Sequence, residues 1–302
     1  MRYLSLTASE IEKLNSSELI QSIKNCEGRI LVSENIVTLN PLLQTITNSE
    51  LAAAMGADIL LLNLFDAEKP EIKGMPKEIK PFELIKKLKE FTGRSIGVNL
   101  EPVDPNFSDQ NKEFWKMTKG RFATVENVKK LKELGVDFIV LTGNPGNGIT
   151  NEEVVKCTKK IKKVFNNNIA IFAGKMHGAG LGDAILKDEE IRELKLAGAD
   201  VILIPAPGTI PGTTVDLISK KINLIHELGL LSMTSIGTSQ EGADSQTIKT
   251  IALNAKMCGT DIHHIGDTGY PGIAVPENIT TYSIVIKGIR HTYFRMACSI
   301  KR

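Results

Sequence analysis

The chain has 302 residues, 42% hydrophobic and 24% charged, with 37 Lys and Arg against 35 Asp and Glu for a net charge of +2. This is the composition of a folded globular protein, which excludes disorder, collagen-like repeats and disulfide scaffolds. Near-neutral charge with only 5% aromatic residues gives no nucleic-acid footprint and no base-stacking platform, so a small-molecule partner is expected.

The amino end, MRYLSLTASEIEKL, lacks the apolar stretch of a secretory signal, and no apolar run approaches the roughly 18 residues that span a bilayer. A cytoplasmic protein with no membrane partner is expected, its scattered Cys26, Cys157, Cys258 and Cys298 being free thiols. Residues 1–27 read as an N-terminal extension in which SEIEKLNSSELIQSIKN is one extra helix, placed under the rest of the fold.

β-like runs follow in order. They are Arg29 to Asn35, ILLLN from Ile59, Ser95 to Val103, FIVLT from Phe138, Asn168 to His177, VILIP from Val201, Leu230 to Thr238 and IHHIG from Ile262. Amphipathic stretches such as PFELIKKLKEF, TVENVKKLKEL, TNEEVVKCTKKIKKVF and TVDLISKKINLIHEL separate them. Every second strand is preceded by Gly-x-Asp: Gly56 with Asp58, Gly135 with Asp137, Gly198 with Asp200, and Gly259 with Asp261. The glycine suits the left-handed residue that closes a helix, and the apolar run suits a parallel strand buried on both faces.

Eight such units predict an α/β protein, a (β/α)8 TIM barrel with an extra N-terminal helix, forming one domain over 1–302. An open doubly wound sheet would show similar alternation, and the Gly-x-Asp recurrence favours the barrel. Residues 277–302 read as the closing helix, with Arg290, His291 and Arg295 in packing or in contact with a second copy in a homo-oligomer. The lysines 159, 160, 162 and 163 read as a solvated helix face.

In such barrels the active site lies at the C-terminal ends of the strands. Period-two alternation places Asn99 and Glu101 on one face of the third strand, and Lys175 and His177 on one face of the fifth. Glu34, Asn63, Thr142 and Asn144 end other strands, and Asp267 follows the eighth. Of His263 and His264 only one faces the pore: His264 if Gly266 does, His263 if Asp267 does. Single buried carboxylates are often structural, but several ionisable groups meeting at one rim suit acid–base work.

The loops PAPGTIPGTT, SIGTSQEGADS and GDTGYPGIAVPEN are rich in glycine and hydroxyl residues. They make Gly208, Thr209, Gly237, Thr238, Ser239, Gly266, Thr268 and Gly269 the candidates for holding a phosphate through backbone N–H groups. Ordinary turn chemistry uses the same residue types. DAEKPEIKGMPKEIKP, after the second strand, and residues 104–124, which contain Phe107, Phe114 and Trp115, are long enough for lids.

The stretches GVNLEPVDP, LTGNPGNGITNE, AGKMHGAG, LIPAPGTIPG, TSIGTSQEGAD, IHHIGDTGYPGIAVPENI and RHTYFRMACS carry a resemblance over most of the chain. The chain resembles a bacterial TIM-barrel family labelled "haloacid dehalogenase-like hydrolase", and is more distantly similar to phosphate-binding TIM barrels. Phosphatases of the haloacid dehalogenase type place an aspartate nucleophile in DxDx(T/V) after the first strand. This chain contains no DxD, and its first strand ends ILVSEN.

The leading expectation is an enzyme of lyase or isomerase type acting on a small phosphorylated, carbonyl-bearing metabolite. Lys175 forms a Schiff base or polarises the carbonyl, His177 or one of His263 and His264 moves protons, and Glu34 and Glu101 share that duty. No cofactor is required by this reading. The alternative is hydrolysis assisted by a divalent metal held by Glu34, Glu101, His177, one of the paired histidines and Asp267. A third reading is a noncatalytic barrel that binds a phosphometabolite and regulates.

Overall fold

Strands that are apolar on successive residues bury both faces, and here one face meets helices and the other a second core. β1 (Ile30–Ile36), β2 (Ile59–Asn63), β3 (Ser95–Leu100), β4 (Phe138–Leu141), β5 (Ala170–Gly174), β6 (Val201–Pro205), β7 (Leu231–Ile236) and β8 (Ile262–Ile265) pair in parallel in chain order. β8 returns to β1 in the register Ile30↔Ile262, which closes the (β/α)8 barrel and eliminates the open-sheet alternative. The computed structural model describes residues 1–104, 117–144, 149–177 and 185–302. Phe107, Phe114 and Trp115, expected in a lid, lie outside the described residues. Among the described residues no helix is long and apolar enough to cross a membrane.

Around the barrel stand α3 (Asn48–Ala54), α4 (Leu84–Thr92), α5 (Val125–Leu134), α6 (Asn151–Phe165), α7 (Asp188–Ala197), α8 (Val215–Glu227), α9 (Ser245–Met257) and α10 (Pro276–Ala297). Side chains of Thr47, Thr124, Thr150, Thr214 and Asp244 accept first-turn backbone N–H groups and so fix where five of these helices begin. Gly135 and Gly198 end α5 and α7 in the left-handed region, at φ 96° and 97°. The helices cover an outer core of strand residues such as Leu60, Ile96, Ile139 and Ile202.

The inner core is built from the alternate residues: Ile30 and Val32, Ile59 and Leu61, Phe138 and Val140, Phe172, Leu203, Met233 and Ile262. Phe138 and Phe172 stack across the interior with ring centroids 4.6 Å apart. Gly97 of β3 makes this possible, since a Cβ there would overlap the Phe138 ring. The N-terminal segment plugs the floor below, with Tyr3, Leu4, Leu19 and Ile23 continuing the inner core. It contains α1 (Ala8–Glu12) and α2 (Ser16–Lys24) instead of the single expected helix. Asn15 causes the division: its side chain accepts from the Glu18 N–H while the Glu18 carboxylate accepts from the Asn15 N–H, starting a new helix.

The four recurring aspartates occupy the floor. Asp58, Asp137, Asp200 and Asp261 accept from the backbone N–H groups of Leu31, Ile96, Ile171 and Ser232 at 2.8–2.9 Å, each binding the strand before its own. Three also meet a basic group of the helix preceding that strand, and Asp58 meets basic groups of α10. Lys89 pairs with Asp137 at 2.6 Å, Lys162 with Asp200 at 3.5 Å, and His226 with Asp261 at 2.8 Å. Lys287 of α10 pairs with Asp58, joined by Arg295 at 3.3 Å. Lys162, expected on a solvated face, therefore belongs to this ring. α10 delivers Lys287 and Arg295 from either side of a break at Gly288, whose φ is 73°.

Candidate functional site at the barrel mouth

Two residues beyond the apolar inner core, the inward-facing rows turn polar. Glu34 follows Ile30 and Val32, Asn63 follows Ile59 and Leu61, Thr142 follows Phe138 and Val140, Ser235 follows Met233, and His264 follows Ile262. Above this layer is a cavity of about 100 Å³, walled among the described residues by Glu34, Asn63, Asn99, Thr142, Asn144, Met176, His177, Glu241 and Asp267, with glycines of the neighbouring loops. Met176, Glu241 and Gly143 were not foreseen in that wall.

His264 is the inward member of the histidine pair. Its Nδ1 stands 2.7 Å from Ser235 Oγ, and its Nε2 stands 3.1 Å from a Glu34 oxygen. His263 faces outward, with Nδ1 3.2 Å from the Tyr282 hydroxyl of α10 and Nε2 3.1 Å from the Gly28 carbonyl. It therefore takes no part in the cavity, and burial takes its pKa down to about 3. Both Gly266 and Asp267 line the cavity, because alternation ends with β8 at Ile265.

Three carboxyl groups meet at this mouth. Burial pushes Glu34 up to about 8 and Glu241 up to about 7. Asp267 rises to about 7, from burial first and the neighbouring Glu34 charge second. Burial takes His264 down to about 4, so its imidazole is neutral at physiological pH. Glu34 is 4% exposed, and its Oε1 has no hydrogen-bond partner among the described residues.

An amide network positions Asp267. Arg121 pairs with Glu101, whose Oε1 accepts from Asn144 Nδ2 at 2.9 Å. Asn144 and Asn63 exchange amide hydrogen bonds, and Asn63 Nδ2 donates to Asp267 Oδ2 at 2.9 Å. Asn99 Nδ2 donates to Asn63 Oδ1 at 3.3 Å. Glu101, expected among the proton-moving groups, is instead the ion-paired anchor of this network, and it does not line the cavity.

Lys175 is buried at the end of β5 and its N–H donates to the Leu203 carbonyl, but Met176 and His177 line the cavity in its place. Its charge reaches His177, whose pKa is lowered by burial first and Lys175 second. Among the described residues no three of His, Cys, Asp and Glu are grouped so as to hold a metal ion. The set expected for metal-assisted hydrolysis, Glu34, Glu101, His177, one paired histidine and Asp267, forms no such group.

Most backbone N–H groups expected to grip a phosphate are engaged, within their own loops or with the neighbouring strand or loop. Gly208 donates to Thr213, Thr209 to Ala206 and Gly266 to Ile236. Thr268 N–H donates to Glu241 Oε1 at 3.0 Å and Gly269 N–H to Asp267 Oδ1 at 2.9 Å, so the loop after β8 orients carboxylates. Gly237, Thr238 and Ser239 donate no backbone–backbone hydrogen bond among the described residues. Ser239 adopts φ 69° at the start of the short turn carrying Glu241.

No curated protein matches the sequence. Among solved structures the chain is similar to a thiamine phosphate pyrophosphorylase from Pyrococcus furiosus, at 13% identity and a TM-score of 0.48, over 86% of this chain and 96% of that one. Neither finding bears on haloacid dehalogenase chemistry. The model of the family described as "Domain of unknown function (DUF7916)" matches residues 4–302, and the chain belongs to that family.

Proposed function

We propose that the protein is an enzyme of lyase or isomerase type that moves a proton on a small, phosphorylated, carbonyl-bearing metabolite held at the barrel mouth. One observation carries this reading: Glu34, 4% exposed, has one carboxylate oxygen against neutral His264 and the other unpartnered at the cavity. A carboxyl raised to about 8 holds a proton near neutral pH and can also release it, which suits one group to both halves of a proton transfer. In this reading Glu34 Oε1 removes the proton beside the carbonyl, and protonated Asp267 or Glu241 donates to the carbonyl oxygen.

Ser235, donating to His264 Nδ1, would set the tautomer that places Nε2–H toward Glu34. The substrate phosphate is assigned to Gly237, Thr238 and Ser239, whose N–H groups make no backbone hydrogen bond among the described residues. Lys175, beside the cavity but not lining it, supports His177 through charge and forms no imine.

The test is deuterium exchange. Small carbonyl metabolites, phosphorylated and not, are incubated with the protein in D2O and the proton beside the carbonyl is followed by NMR. Exchange that disappears in Glu34→Gln is expected; absence of exchange across the panel would sink the reading. Borohydride added to an exchanging mixture should leave Lys175 unmodified, and an adduct there would replace the carboxylate mechanism with an imine.

A further inference from the structure

Among the described residues, His264 Nε2 and Thr268 Oγ1 lack a hydrogen-bond partner just outside the cavity lining, while the unpartnered polar atoms of the lining itself share one character. Glu34 Oε1, Glu241 Oε2, Asn99 Oδ1 and Thr142 Oγ1 are buried without a hydrogen-bond partner among the described residues, and their residues all line the cavity. Asn99 Oδ1 only accepts, the two carboxyl oxygens only accept once ionised, and the fourth is a hydroxyl that accepts as readily as it donates.

The orientation of Asn99 follows from its neighbours. Asn63 turns its Nδ2 toward Asp267 Oδ2, at 2.9 Å, the orientation that suits an ionised Asp267. Asn63 Oδ1 then faces Asn99, which must offer its own Nδ2, at 3.3 Å, leaving Asn99 Oδ1 for the cavity. The amide donors thus point into the wall and the acceptors remain. Unmatched buried acceptors are costly, and a ligand rich in donors is what matches them.

We propose that the part of the substrate entering this cavity carries a protonated primary amine next to a hydroxyl or carbonyl group, making the substrate an amino-substituted carbonyl metabolite or its amino-alcohol equivalent. An ammonium group offers three donors and no acceptor, and its charge suits the flanking carboxylates of Glu34, Glu241 and Asp267. The inference rests on the mouth being the substrate site, as in the proposed function, and specifies what that substrate presents there. The titratable groups facing the three carboxyls are His264, neutral beside Glu34 and Glu241, His177 in the same wall, and the carboxyls themselves.

The test uses two isosteric probes, 2-amino-1,3-propanediol and glycerol, which differ in bearing an ammonium or a hydroxyl on the central carbon. Binding to the full-length protein is measured by calorimetry and ligand-observed NMR. The amine should bind at least about tenfold more tightly than glycerol, as charge-assisted hydrogen bonds require. Its affinity should rise between pH 6 and pH 8 as the carboxyls lose their protons. Glu34→Gln and Glu241→Gln should each weaken the amine about tenfold more than they weaken glycerol, thermal melts showing that both variants fold.

Glycerol binding as tightly as the amine, or an amine that fails to bind the wild type, would overturn the inference. These outcomes separate from failure of the proposed reaction. Exchange on carbonyl compounds by a protein that ignores the amine keeps the catalysis and removes the amine, whereas selective amine binding without exchange does the reverse.

Discussion

The floor and the mouth of the barrel both gather carboxylates, and they treat them in opposite ways. Each floor aspartate has a backbone N–H on one side and a basic side chain on the other, as with Asp137 between Ile96 and Lys89. At the mouth, among the described residues, Glu34 meets a neutral imidazole, Glu241 and Asp267 accept from backbone and amide N–H groups, and acceptor atoms of Glu34 and Glu241 are left without hydrogen-bond partners. A carboxylate that is paired and hydrogen-bonded holds a fold together; one that is buried without a cation has a raised pKa and a proton to trade.

The strongest way to break this contrast is Glu34→Gln, which keeps the shape and removes the titration. Exchange activity should fall by about 10²–10⁴-fold, the usual contribution of a positioned acid or base. A variant retaining most of its activity would move Glu34 into the structural class. Next is Lys287→Met, which leaves Asp58 buried with Arg295 as its remaining ion-pair partner. Chemical denaturation should show a loss of about 3–5 kcal/mol. A loss under about 1 kcal/mol would mean that the floor ring does not hold the barrel.

A smaller effect sharpens the comparison from the mouth. A carboxyl whose folded pKa lies above its unfolded value makes the native state bind more protons, so stability falls as pH rises toward the folded pKa. The buried histidines act oppositely, but their contribution is complete above their unfolded pKa of about 6.5. Between pH 6.5 and pH 8 the carboxyls therefore dominate, and the melting temperature of the wild type should decline over that window. Glu34→Gln should melt higher than wild type at pH 8, by roughly 2–4 °C for each kcal/mol relieved. An unchanged difference between pH 6.5 and pH 8 would remove Glu34 from that account.

The smallest effect belongs to the partly exposed floor pair of His226 and Asp261. The hydrogen bond to Asp261 raises the His226 pKa, so this stabilisation is present below the unfolded histidine pKa and is lost as pH rises through the folded one. His226→Gln should cost under about 1 kcal/mol at pH 6 and less at pH 8, by denaturant titration.

The fold was legible because it is written in local periodicities: eight apolar runs, helices between them, and glycines where helices end. The mouth was legible only as far as alternation reaches. Period two carries Glu34, Asn63 and Asn99 inward and is enough to put Ser235 there also, two residues beyond Met233. It fails at β8, where the strand ends at Ile265 and both Gly266 and Asp267 turn inward. It also fails for Lys175, because Gly174 at φ 149° ends β5 and Met176 lines the cavity instead. Glu241 was hidden by its company, a carboxylate within a loop that looked built for anions. The ion pair of Arg121 with Glu101 spans 20 residues and follows no period, so only three-dimensional packing reveals it.

Gly97 has a consequence for what fills the bore between the mouth and the floor. Its missing side chain lets the Phe138 ring lie flat against β3 and stack on Phe172, forming a bulkhead across the barrel bore. The next inward residues, Val32, Leu61 and Val140, extend this apolar interval up to the polar row of the mouth. A single methyl at position 97 would run into the Phe138 ring, which would have to move and break its stack on Phe172.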